Sequence, residues 1–113
     1  TAELTNRRVF ASIPEAEGLP DGMTVDAEGF VWSARWDGSC IVRYAPDGTQ
    51  VATVRFPVRK VSSVVFGGDR CEDLYVTTAG GDQRNTDGAA AGALFRLHPG
   101  VRGVPEFPSR VGI

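Results

Sequence analysis

Short β-prone runs, each closed off by glycine, proline, aspartate or asparagine, recur along this chain, and they restrict its fold more than any other feature. The runs are Phe30–Ala34, Ile41–Tyr44, Val51–Phe56, Leu74–Thr78 and Ala93–Leu97. Their periodicity is two, and no window of eleven or more residues carries a sustained helical stripe. The Ala89–Ala91 stretch has helical propensity, but Gly88 and Gly92 close on it from both sides, so it reads as loop. Asp26-Ala27-Glu28-Gly29 and Ala45-Pro46-Asp47-Gly48 are turn sequences between neighbouring strands. Fourteen glycines and seven prolines are spread along the chain as punctuation and are not gathered into one linker. The expected class is therefore all-β, with short antiparallel strands.

The runs also repeat. Gly29–Ala34 resembles Asp73–Ala79, Ile41–Gly48 resembles Leu94–Gly100, and Ile13-Pro14 resembles Phe56-Pro57. Trp32 and Tyr75 stand 43 residues apart, as do Ile13 and Phe56. Arg43 and Arg96 stand 53 apart, and an insertion over 80–91 accounts for the difference. A period near forty residues with about four strands in each is the mark of a propeller blade. On this reading residues 1–14 give a strand of a preceding blade, 18–57 a complete blade and 61–113 the following one. The expected total is about two blades, eight or nine short strands, with a first strand over 7–13 and a weak ninth from Val104.

Two blades cannot close a ring of four to eight, and an open pair would expose strand edges and an apolar flank. Either further blades complete the ring or copies of the chain do so. A threefold ring of roughly eight-stranded chains would supply six four-stranded blades. Of the two readings the fragment is favoured: the opening residues lack an initiator Met.

The charge balance excludes several partners. Twelve basic and fourteen acidic residues form no basic stripe and no run of like charge, so nucleic acid is not expected. No apolar run approaches the length of a membrane helix, and the first residues lack the apolar core of a signal peptide. With two cysteines, Cys40 and Cys71, expected to be free and reduced, the expected location is cytoplasmic.

The strongest chemical signal is Gly18-Leu19-Pro20-Asp21-Gly22-Met23. It enters the first strand of the complete blade, which in a propeller lines the central channel. A carboxylate held there on a stiff turn suits a hard cation or a positioned water. The same tripeptide also reads as a plain turn in which Asp21 caps its own backbone. Asp26 and Asp47 lie in similar tripeptides and read as turn residues. Ser62 and Ser63 lie near the channel mouth, where contact with substrate hydroxyls and simple capping are both open. Trp32, Trp36, Tyr75 and Phe95 read as inter-blade core, with Trp36 also placed to wall a pocket. His98, in Leu-His-Pro-Gly, reads as a surface turn residue.

Pro20–Trp32, Phe66-Gly67-Gly68 followed by Asp73–Thr77, Gly92–Arg96 and Gly100–Gly103 together resemble the gluconolactonase/regucalcin (senescence marker protein) family, in order and with family-like spacing. Thr5–Phe10 resembles the strand preceding this region. The resemblance, to the C-terminal part of that family's proteins, runs from about residue 4 to the end. It implies a six-bladed β-propeller holding one divalent cation, Ca2+ or Zn2+, with Mg2+ or Mn2+ as alternatives. It implies a small sugar lactone as substrate, opened by metal-activated water. Carried over, Asp21 is a metal ligand and the base for that water. The family's other ligands, a Glu and an Asn, have no counterpart here, and Asn6 and Asn85 stand in other contexts. The isolated chain should therefore bind metal weakly and hydrolyse little. A calcium-binding protein without turnover, or a non-catalytic propeller module, are the alternatives.

Overall fold

The computed structural model describes residues 2–112; Thr1 and Ile113 lie outside the described residues. Seven strands form two antiparallel sheets. The first holds β1 (Leu19–Val25), β2 (Val31–Trp36), β3 (Cys40–Tyr44) and β4 (Gln50–Arg55) in that order, and the second holds β5 (Val61–Gly67), β6 (Asp73–Thr78) and β7 (Leu94–Leu97). Each strand pairs with the next in sequence, so every link within a sheet is a hairpin or a loop between neighbours. The turns are those the sequence expects. Gly29 N donates to Asp26 O at 3.0 Å and Gly48 N to Ala45 O at 2.9 Å, with φ of 81° and 88° at the two glycines. Only glycine adopts such angles without strain.

Strand alternation sorts β2 and β3 onto two faces. Trp32, Ala34 and Ile41 point at the second sheet and pack with Phe56, Val61, Val64, Phe66, Leu74 and Val76. Trp32 meets Phe66 edge-on at 6.2 Å, and Phe56 meets Phe95 at 5.1 Å. Trp32 and Phe95 thus lie in the inter-sheet core, as expected. Tyr75 does not: it alternates with the buried Leu74 and Val76 and so stands on the far face of its sheet, half-buried beside Gly67. The opposite face of the first sheet carries Cys40, Val42 and Tyr44, packed with Ala11 and Val31.

Two expected strands are absent among the described residues. Residues 7–13 form no strand, although their side chains pack: Phe10 lies edge-on to Tyr44 at 6.1 Å. A strand needs a hydrogen-bonded neighbour, and this segment lies over the face of the first sheet that carries Tyr44 instead of along its free edges, β1 and β4. Nor do residues 104–112 form the ninth strand; Pro105 and Pro108 interrupt the donors such a ladder would use. The segment is tied in just before them, by an antiparallel bridge from Gly103 to Asp26. The count among the described residues is therefore seven strands, not eight or nine. Two short helical turns were not anticipated, a 3-10 turn over Glu15–Glu17 and a single α-turn, α1 (Arg84–Asp87), inside the inserted loop.

Candidate channel-mouth site

Antiparallel pairing brings the start of β1, the end of β2, the start of β5 and the end of β6 to one end of the two sheets. At that end both inner strands bulge. On β1 the register passes from Pro20↔Arg35 to Met23↔Ser33, so Asp21 and Gly22 together oppose Ala34. Pro20 offers no N–H to the ladder, which favours the break there. On β5 the register passes from Val61↔Thr78 to Ser63↔Thr77, which leaves Ser62 as the extra residue. Such bulges re-aim side chains and are frequent beside active sites.

The bulges meet. Gly22 packs so closely on Ser63 that a Cβ at position 22 would collide with the serine side chain. This close approach requires glycine after Asp21. Asp21 itself is exposed, as is Ser63. Ser62 is half-buried, and its hydroxyl lies 2.8 Å from that of Thr77, turned toward its own sheet. Trp36 faces Leu19 across the β1–β2 ladder and is half-buried, with Lys60 Nζ 5.5 Å from the ring centroid. The fold thus gathers Asp21, Ser62, Ser63 and Trp36 at one mouth. His98 is exposed at the opposite end, 3.4 Å from Asp73 Oδ1.

No group of three or more His, Cys, Asp or Glu residues is assembled among the described residues. Calcium takes six to eight oxygens and zinc about four ligands. Asp21 alone does not fit either ion, and these residues do not by themselves make a metal centre.

Sequence reasoning missed three buried polar groups. Asp26 is a turn residue, as expected, but it is also 1% exposed and a hub. Its carboxylate accepts from Glu28 N and Phe30 N at 3.0 Å and from Trp32 Nε1 and Arg43 Nε at 2.9 Å. Burial alone would push its pKa up. The bonds from Trp32, Phe30 and Arg43, with the Arg43 charge, outweigh burial and hold it below the usual carboxylate range. Arg35 is also 1% exposed. Its Nη1 donates to Ser33 Oγ at 2.6 Å and its Nη2 to Tyr44 Oη, while Nε has no acceptor. It borders an apolar cleft of about 440 Å³ between Val9, Phe10, Met23, Val31 and Tyr44. Asp87, in the inserted loop, is 3% exposed and faces Lys60. The two thiols are unbonded: Cys40 is buried and Cys71 half-buried. Burial pushes the Cys40 thiol up, against the opposing charges of Arg55 and Arg35. No described helix is long and apolar enough to cross a membrane.

Comparison with known proteins agrees with this geometry. Residues 1–80 match the family model described as the SMP-30/gluconolactonase/LRE-like region. The chain is 50% identical to the pentonolactonase XacC of Haloferax volcanii, over 98% of this chain and 40% of that protein. It is 37% identical to the regucalcin of Gallus gallus, over 96% of this chain and 38% of that protein. A crystal structure of a regucalcin from Agrobacterium tumefaciens, described as a calcium-binding protein, superposes with a TM-score of 0.81 at 30% identity, over 92% of this chain and 36% of that one. The chain spans about 40% of the length of these curated relatives. The two sheets are accordingly blade-like units of a regucalcin-type propeller, and the chain belongs to the SMP-30/gluconolactonase/LRE-like family.

Proposed function

We propose that this chain forms two blades of a six-bladed β-propeller that hydrolyses a sugar lactone, with blade boundaries near 18–57 and 61–113 and residues 1–14 belonging to a preceding blade. The observation that carries the reading is the exposed Asp21 on the bulge of β1, set against Ser63 on the bulge of β5. The 50% identical relative is a pentonolactonase, which supports an aldonic-acid lactone as the substrate class.

In this reading Asp21 takes the proton of a water as its oxygen attacks the lactone carbonyl. The ring C–O bond then breaks, and the ring oxygen takes up a proton to give the open hydroxy acid. A divalent cation, Ca2+ or Zn2+ first, with Mg2+ and Mn2+ as alternatives, would count Asp21 among its ligands, and the remaining ligands would come from other blades. Ser62, Ser63 and Trp36 would line the substrate side of the mouth. The remaining blades, or further copies of the chain, are needed to close the ring.

A second reading, calcium binding without turnover, is favoured by the calcium-binding regucalcin that superposes on this chain. Acid release from a pentonolactone and a gluconolactone by the ring-complete protein, followed across a calcium titration and in EGTA, separates the two. Cation-dependent turnover supports the hydrolase. Calcium binding with acid release no faster than the buffer supports the second reading.

A further inference from the structure

Lys60 stands where four segments of the mouth meet. Its ammonium lies 2.9 Å from Asp87 Oδ2 and 5.5 Å from the centre of the Trp36 ring. Its carbonyl accepts from Ala79 N at 3.0 Å, where the inserted loop leaves β6. The neighbouring Arg59 N donates to Asp87 O at 2.8 Å, and Arg59 O accepts from Ser39 N at 3.0 Å in the β2–β3 turn. The loop is held at its far end by Thr78 Oγ1, which donates to Ala93 O at 2.7 Å.

Asp87 is the one carboxylate of this loop that is buried, 3% exposed, whereas Asp82 is exposed. Lys60 approaches it off the hydrogen-bonding axis, so Oδ2 accepts no well-formed hydrogen bond. The carboxylate also packs on Gly80, where φ is 89° and a Cβ would collide with it. A buried carboxylate is costly to keep without its cation. Its best-attested use is to select one arrangement of chain over others. The arrangement selected here is loop 79–93 folded back on residues 57–60, with the Trp36 ring capped by the same ammonium.

We propose that Lys60 and Asp87 are a positioning pair: they hold loop 79–93 and the Trp36 ring as a wall of the mouth, and so set how tightly substrate is bound, not how fast its bond is broken. The kinetic consequence rests on the lactone-hydrolase reading; the ordering of the loop does not. Lys60→Met, Asp87→Asn, the double variant and Lys60→Arg, made in the ring-complete protein, test this by two readouts. The first is amide hydrogen exchange over 79–93. The second is kcat and KM for a pentonolactone. Lys60→Met and Asp87→Asn should each speed exchange in the loop by about tenfold or more, and the double variant should exceed the worse single variant little, because the two changes remove one interaction. KM should rise by about tenfold with kcat within about twofold, the pattern of lost uniform binding. Lys60→Arg, which keeps the charge, should stay close to wild type in both. Unchanged loop exchange in Lys60→Met and Asp87→Asn would overturn the proposal, as would a fall in kcat at constant KM. If no lactone is opened at all, the hydrolase reading fails and the exchange measurement still decides whether the pair orders the loop.

Discussion

Arg43 Nη2 lies 2.7 Å from Asp26 Oδ2, across the ladder in which Trp32 pairs directly with Arg43. The same guanidinium covers the Phe30 ring at 4.0 Å, and Trp32 Nε1 donates to the same carboxylate oxygen. One buried carboxylate therefore fastens the β1–β2 turn to β2 and to β3, while the backbone of the same residue bridges to Gly103, beyond β7. Asp26→Asn keeps the shape and removes the charge, leaving Arg43 facing a neutral amide. It should cost about 3 kcal/mol in urea unfolding, the scale for breaking one side of a buried pair.

The pH dependence follows from the same group. Its folded pKa is depressed, so its contribution to stability is complete above the unfolded value of about 3.9. That contribution is lost as pH falls from there through the lower folded value. Unfolding free energy measured between about pH 5 and pH 2 should fall less steeply in Asp26→Asn than in wild type. Parallel curves would show that Asp26 is not the responsible group.

Trp32 couples this hub to the core, since its ring meets Phe66 and its indole N–H meets Asp26. Trp32→Ala should cost about 3–5 kcal/mol. Trp32→Phe, which keeps most of the apolar surface but drops the donor, should cost less, about 1–3 kcal/mol. Equal losses in the two variants would assign the whole effect to the hydrogen bond and contradict the packing account.

Arg35 behaves in the opposite way. It is buried without a carboxylate partner among the described residues, held by Ser33, Tyr44 and the Ala34 carbonyl. An uncompensated buried charge is a cost. In the 113-residue chain Arg35→Met should therefore be neutral or stabilising by about 1 kcal/mol, read as a shift of the urea midpoint. A loss of more than about 2 kcal/mol would mean that the contacts to Ser33 and Tyr44 outweigh the burial of the charge.

The parts of the fold that were legible in the sequence are the local ones. Gly29 and Gly48 mark their hairpins because the positive φ they supply is required within four residues. The alternation around Trp32 names its buried face because strand periodicity is a property of the strand alone. The motif around Asp21 was legible through its resemblance to a family, and the two bulges that present Asp21 and Ser62 then came from pairing. What was not legible depends on partners distant in sequence. Residues 7–13 have strand-like composition, but a strand exists only with a neighbour. Asp26 read as a turn residue because its cation, Arg43, is brought to it only by the register of β2 on β3. Asp87 lies in an insertion with no repeat counterpart, and nothing local pairs it with Lys60. Tyr75 matched Trp32 by repeat position, and its alternation with the buried Leu74 and Val76 puts it on the face of the second sheet turned away from the first, where no described sheet covers it.

The central claim is that the exposed carboxylate on the β1 bulge performs the chemistry. It is tested most directly by Asp21→Asn in the ring-complete protein, with turnover of a pentonolactone and thermal unfolding measured on the same sample. Asp21 is exposed, so the melting temperature should move by no more than a few degrees, as for a surface substitution. Turnover should fall by about a hundredfold or more, the scale for loss of a general base. Turnover within about twofold of wild type in a folded Asp21→Asn protein would contradict the account.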